Sequence, residues 1–214
     1  SPKAYDKIGL AADDELRNSV VISNPLGEDT SVMRTTILPS MLGVLAHNYN
    51  HKNDHASLYE IGTVYQPTEK GKLPIESQKA AIGIYGNGAD FYSLKGIVEK
   101  LLDRLNIAEY DIEAVTDNPT FHPGRSAKLT IDGKLLATIG EIHPKVAEAY
   151  GIGVKVYVAE VDVNTAYDNR LGTRTHKPLP KYPATTRDLA FVCDKTIPVL
   201  KLQKAISEAV GKTL

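Results

Sequence analysis

The chain has 214 residues, 42% hydrophobic and 24% charged, which suits a soluble globular protein with room for one large domain or one domain plus part of another. Its formal net charge of −1 excludes a strongly basic body, so any nucleic-acid contact must come from a local patch. The single cysteine, Cys193, excludes an intrachain disulfide framework or a cysteine zinc cluster, and reads as a small, buried strand residue.

The first thirty residues are polar, with apolar patches at Ile8-Gly9-Leu10 and Val20-Val21-Ile22, and Asn24-Pro25 reads as a turn. Pro39 suits the first turn of a helix, where its missing N–H costs little. Leu38, Met41, Leu42, Leu45 and Tyr49 recur at spacings of three and four, which predicts one buried helical face. Leu58 to Tyr65 and Lys79 to Tyr85 read as strands, with Gly86-Asn87-Gly88 as a turn. Asp90 is placed to cap a helix whose apolar stripe runs through Leu94, Ile97, Val98, Leu101, Leu102 and Leu105.

Asp132-Gly133 supplies the positive φ angles of a two-residue hairpin between Ala127–Ile131 and Leu135–Ile142. Pro144 to Tyr150 predicts a short helix stopped by Gly151, and Val156 to Val163 a last core strand. His122-Pro123-Gly124 and His143-Pro144 read as turns. Residues 169–186 read as a linker, with Arg170, Arg174, Lys177, Lys181 and Arg187 forming a basic stretch without acids. A strand from Arg187 to Cys193 and a helix from Pro198 to Val210 follow. The pattern predicts an α+β fold with a mainly antiparallel sheet over residues 1–168. A dinucleotide fold is disfavoured, because Gly83-x-x-Gly86-x-Gly88 opens no helix directly. No apolar run reaches bilayer length and no leader segment opens the chain, so a cytoplasmic location is expected. The abrupt ends suggest a piece of something longer.

Five blocks occur in an order that identifies a family: Ile22-Ser23-Asn24-Pro25-Leu26-Gly27 through Ile37-Leu38-Pro39, Leu58-Tyr59-Glu60-Ile61-Gly62, Asp90-Phe91-Tyr92-Ser93-Leu94-Lys95-Gly96, Phe121-His122-Pro123-Gly124-Arg125-Ser126-Ala127, and Ile139-Gly140-Glu141-Ile142-His143-Pro144. Together they resemble the core of the β subunit of bacterial phenylalanyl-tRNA synthetase. The resemblance implies a class II synthetase-like antiparallel sheet flanked by helices. Tyr182-Pro183-Ala184-Thr185-Thr186-Arg187-Asp188-Leu189 resembles the opening of that family's C-terminal anticodon-binding domain, a ferredoxin-like unit of which residues 187–214 would be a truncated start.

Adenylate formation needs cations on the ATP phosphates, close backbone approach to the nucleotide and an anionic handle for the amino acid. The family's catalytic α subunit supplies a glycine-rich strand and a following arginine. This chain reads Val156-Tyr157-Val158-Ala159-Glu160-Val161-Asp162-Val163-Asn164 there, and Glu160 and Asp162 are expected to repel triphosphate. Where the α subunit carries a glutamate, this chain has Arg125, and Thr63 stands where family β subunits often carry arginine. No catalytic, cofactor-binding or metal residue is therefore assigned. His47 and His51 could share zinc on one helix, but they lie off the apolar stripe, His55 falls beyond the helix end, and a solvated face is the better reading. Ser23, Ser31 and Ser126 lack a nucleophile elbow.

The resemblance thus implies a non-catalytic module that packs on the α subunit in an α2β2 enzyme charging tRNA-Phe, with ATP and magnesium used by the holoenzyme, the editing site elsewhere in the β subunit, and no DNA or membrane partner. The helix from Ile37 to His51 and the segment Asn24 to Arg34 are expected to pack between domains, with Arg34, Met41, Leu45 and Arg125 at the subunit interface. For Arg34 and Arg125 an ordinary internal salt bridge is the equal alternative. Lys181 and Arg187 are candidate tRNA contacts, against a solvated linker. The other readings are a stand-alone divergent adenylate-forming ligase and an RNA-binding module.

Overall fold

The computed structural model describes residues 1–69, 72–172, 175–176, 181, 183 and 185–211. Its strands are β1 (Ala56–Gln66), β2 (Ile75–Tyr85), β3 (Asp111–Ala114), β4 (Phe121–Ile131), β5 (Lys134–Ile142) and β6 (Val156–Asp162). They form one sheet in the order β1-β2-β6-β5-β4-β3, with every neighbouring pair antiparallel. The helices are α1 (Lys3–Lys7), α2 (Leu38–Asn50), α3 (Phe91–Arg104), α4 (Pro144–Ala149), α5 (Val163–Asp168) and α6 (Val199–Val210). The chain divides into two compact units, Ser1–Thr173 and Arg174–Leu214.

The first unit has a hydrophobic layer on each face of the sheet. On one face, the α2 residues Leu38, Met41, Leu42 and Leu45 pack with α1 and α4 against alternate strand residues Ala81, Tyr85, Val156 and Val158. On the other, Leu94, Val98 and Leu102 of α3 and Ala166 of α5 cover Ile82, Ile84, Ala159 and Val161. The alternation follows from the two-residue period of a strand. Each fully buried Leu or Val contributes about 1.5–3 kcal/mol.

The caps agree with the sequence. Asp90 accepts from Ser93 N at 2.6 Å at the start of α3, and Asp132 and Gly133 adopt φ of 47° and 75° in the β4–β5 turn. Three short elements escaped the pattern. Helices α1 and α5 are too short for a periodic stripe to emerge. Strand β3, Asp-Ile-Glu-Ala, is an edge strand whose acids suit solvent.

Three local expectations are corrected. His122-Pro123-Gly124 is not a turn but the irregular first half of β4, where the register shifts between Phe121 and Ser126. Proline has no N–H to donate, and such a bulge asks for none. His143 is the N-cap of α4, its ring accepting from Lys145 N at 3.2 Å. Residues 187–193 form no strand: in the second unit this segment joins no ladder, and only α6 is regular among its described residues. A lone strand has nothing to pair with. Cys193 is accordingly exposed rather than buried.

Candidate functional site

A cleft of about 490 Å³ opens on the α3 face of the sheet, where α3 and α5 leave the outer part of β1 and β2 uncovered. Its floor is Ile82 and Ile84 of β2 and Val161 of β6. One wall is Ile97, Leu101 and Leu105, and Tyr59 and Ile61 of β1 form the open rim. The cleft lies on the face of the sheet opposite to the Glu160 side chain. Ser57 and Tyr59 are the lining residues with polar side chains, and none of the lining residues is charged. A triphosphate entering this cleft would lose its water and meet no cation, which is strongly unfavourable.

The two acids expected to repel triphosphate do not line the cleft. Glu160 points to the opposite face, where its Oε1 accepts from Ile37 N at 2.8 Å and from Thr36 Oγ1 at 2.7 Å. Thr36 Oγ1 in turn accepts from Leu38 N at 3.2 Å. Glu160 thereby caps the first turn of α2, whose own N-cap, Ile37, offers no side-chain acceptor. Asp162 caps α5 through Thr165 N at 2.7 Å and pairs with Lys79 Nζ at 2.6 Å. Burial pushes the Asp162 carboxyl up, but the Lys79 and Thr165 bonds outweigh it and hold the group below its ordinary value. Sequence reasoning missed both roles. Glu160 and Ile37 lie 123 residues apart, so no local pattern signals their contact.

The residues assigned to a subunit interface fall into two groups. Met41 and Leu45 are 1% and 0% exposed. They pack over Gly83 inside the chain's own core and present no surface to a partner. The stripe does form one helical face, but that face is spent on the sheet beneath it. The two arginines are engaged within the chain. Arg34 donates from Nε to Thr63 O at 2.9 Å and from Nη1 to Glu60 at 2.9 Å and Ser40 Oγ at 3.1 Å. Arg125 Nη1 donates to both oxygens of Glu141 at 2.9 and 3.0 Å. Glu141 is buried, whereas the Arg125 side chain is half exposed. Tyr157 shares this environment, where burial and then the Glu141 charge raise its phenol. The segment Asn24–Arg34 includes a fully exposed Leu26 at the tip of a loop closed by the Val21–Val32 bridge.

His47 and His51 stack with ring centroids 4.1 Å apart, and His51 Nδ1 lies 2.8 Å from the His47 carbonyl. His55 is exposed beyond the helix. Among the described residues no group of three metal-ligating side chains gathers. Lys181 and Arg187 are both exposed, and Arg187 Nη1 donates to Thr186 O at 2.9 Å. Arg174 and Lys177 of the basic stretch, and Tyr182 and Ala184 of the segment after it, lie outside the described residues. Among the described residues no helix is long and apolar enough to cross a membrane.

Comparison with known proteins supplies the lineage. The family model described as the phenylalanyl tRNA synthetase beta chain CLM domain matches residues 1–163. A phenylalanine–tRNA ligase beta subunit of Clostridium acetobutylicum is 46% identical over 215 residues, covering 100% of this chain and 27% of the relative. Its counterpart in Clostridium tetani is 43% identical with the same coverage. That of Bacillus subtilis is 33% identical over 92% of this chain and 26% of its own length. The chain therefore spans about a quarter of the curated relatives it matches. On the match over residues 1–163, the chain belongs to the phenylalanyl tRNA synthetase beta chain CLM domain family.

Proposed function

We propose that this chain is a non-catalytic core module of a phenylalanine–tRNA ligase β subunit, packing against the catalytic α subunit in an α2β2 enzyme that attaches phenylalanine to tRNA-Phe. The relatives' shared name supports the assignment. The observation that supports the non-catalytic role is Glu160: on the strand where the resemblance asks for glycines beside a nucleotide, this carboxylate is bonded to Ile37 N and Thr36 Oγ1 at the start of α2. In this reading the first unit has a class II synthetase-like sheet that has kept its frame and lost its chemistry. Residues 1–168 form that core, residues 169–186 a linker, and residues 187–214 open a ferredoxin-like anticodon-binding domain. ATP and magnesium belong to the α subunit, and the enzyme works in the cytoplasm. The exposed loop bearing Leu26, together with the half-exposed Arg125, contributes to the α-subunit surface. Lys181 and Arg187 touch tRNA phosphates.

The test is pyrophosphate exchange with phenylalanine, ATP and magnesium, run on this chain alone and on the complex reconstituted with the α subunit. Exchange is expected only with the α subunit present, together with co-purification of the two chains. Exchange by the isolated chain would favour a stand-alone adenylate-forming ligase and end this reading. Binding of tRNA by the isolated chain, lost on removing residues 169–214, would shift the role toward RNA binding.

A further inference from the structure

Strand β1 is an edge of the sheet, and its free side is only partly covered. In an antiparallel pair, residues alternate between exchanging both backbone bonds with the partner and pointing both groups away. On β1 the odd-numbered residues point away from β2: Tyr65 N donates to Arg34 O at 2.8 Å, and Thr63 O accepts from Arg34 Nε at 2.9 Å. The register with β2 runs unbroken from Ala56 to Gln66. The same alternation therefore turns the N–H and C=O groups of Ser57, Tyr59 and Ile61 outward. Among the described residues no hydrogen bond covers those groups.

The side chains of these same residues rim the apolar cleft, and Tyr59 and Ile61 are exposed. An open row of backbone donors and acceptors thus runs beside an apolar trough, in register with it. We propose that edge and cleft together form a β-addition site for an extended, uncharged segment of another polypeptide with apolar residues at alternate positions. The guest main chain continues the line that Arg34 already occupies. Guest residues opposite Ser57, Tyr59 and Ile61 exchange backbone bonds and place their side chains on the same face, against Tyr59 and Ile61 at the rim of the cleft. A charged guest side chain would be desolvated there without a partner. The lane has room for about five residues at roughly 3.3 Å each before it meets Arg34. Pairing with β1 of a second copy would bring each Arg34 segment against the other's strand end, so the guest is a shorter segment of a different chain. The site goes beyond the synthetase reading and stands whether or not that reading holds.

The probe is the neutral peptide acetyl-Val-Thr-Val-Thr-Val-amide, titrated into the 214-residue chain and followed by amide NMR and hydrogen exchange. The amides of Ser57, Tyr59 and Ile61 are expected to exchange quickly in the free chain and to become protected on titration. N-methylation of the central valine, which removes a main-chain donor without touching the protein, is expected to weaken binding about tenfold. Ile61→Lys, at an exposed position, is expected to do the same with unchanged thermal stability. Equal binding of the methylated peptide, no change at these amides at millimolar peptide, or protection arising from self-association would each overturn the proposal.

Discussion

Glu160 holds the start of α2 from the strand beneath it: one carboxylate oxygen accepts from both Ile37 N and Thr36 Oγ1. This bond joins β6 to the helix that covers it, and it satisfies a helix-terminal N–H that nothing local could reach. Glu160→Ala is expected to destabilise the chain by about 1–2 kcal/mol, the usual effect of losing a helix cap. Glu160→Gln keeps an acceptor and should lose less. Urea denaturation of both variants checks the order; equal stability of Glu160→Ala and wild type would show the cap to be dispensable.

Asp162 gives the fold an acid-sensitive joint. Its folded-state carboxyl lies below the ordinary value, because the Lys79 and Thr165 bonds outweigh the burial that opposes ionisation. A depressed folded pKa means the contribution is fully present above the unfolded value of about 4 and is lost as pH falls from there through the folded value. Asp162→Asn should therefore flatten the stability profile below about pH 4 and lower the plateau at neutral pH. Thermal melts of the two proteins from neutral to acid pH provide the comparison.

Arg125 covers the buried carboxylate of Glu141. Arg125→Met would leave that charge without its cation, at a cost of about 1–3 kcal/mol. Arg125→Met with Glu141→Gln removes the stranded charge, so the double variant should recover part of the loss. A double-mutant cycle by chemical denaturation measures the coupling.

Two glycines are sites of close approach, Gly83 between the sheet and α2 and Gly140 between the neighbouring strands β5 and β4. A Cβ on Gly83 would stand 2.6 Å from Leu45 Cδ1 and 2.8 Å from Met41 Sδ. A Cβ on Gly140 would stand 2.7 Å from Ser126 Cβ and 3.0 Å from Arg125 O. Alanine at either position should cost about 1–3 kcal/mol by overpacking. Gly140 is the less forgiving, because backbone blocks it, and the midpoints of denaturation should fall in that order.

Leu45 and Leu26 separate core from surface. Leu45→Ala is expected to cost about 2–5 kcal/mol, and Leu45→Asp to prevent folding. Leu26→Asp should stay within about 0.5 kcal/mol of wild type, since Leu26 is fully exposed. Loss of co-purification with the α subunit is therefore informative for Leu26→Asp and uninformative for Leu45→Asp. Undiminished complex formation by Leu26→Asp would remove this loop from the proposed interface.

The sequence by itself determined the elements whose causes are local. The stripe from Leu38 to Tyr49 specifies α2, Asp90 begins α3, Asp132-Gly133 turns β4 into β5, and the ordered blocks identify the family. These depend on side-chain periodicity and on the conformations of one or two residues, which are written in neighbouring positions. Only the tertiary structure decided that Met41 and Leu45 face inward, that Glu160 and Asp162 cap helices instead of meeting a ligand, and that the cleft is uncharged. Those outcomes depend on which face of each strand meets which helix. A carboxylate does not reveal its partner until residues far apart along the chain are packed together, where desolvation makes each buried polar group find a bond.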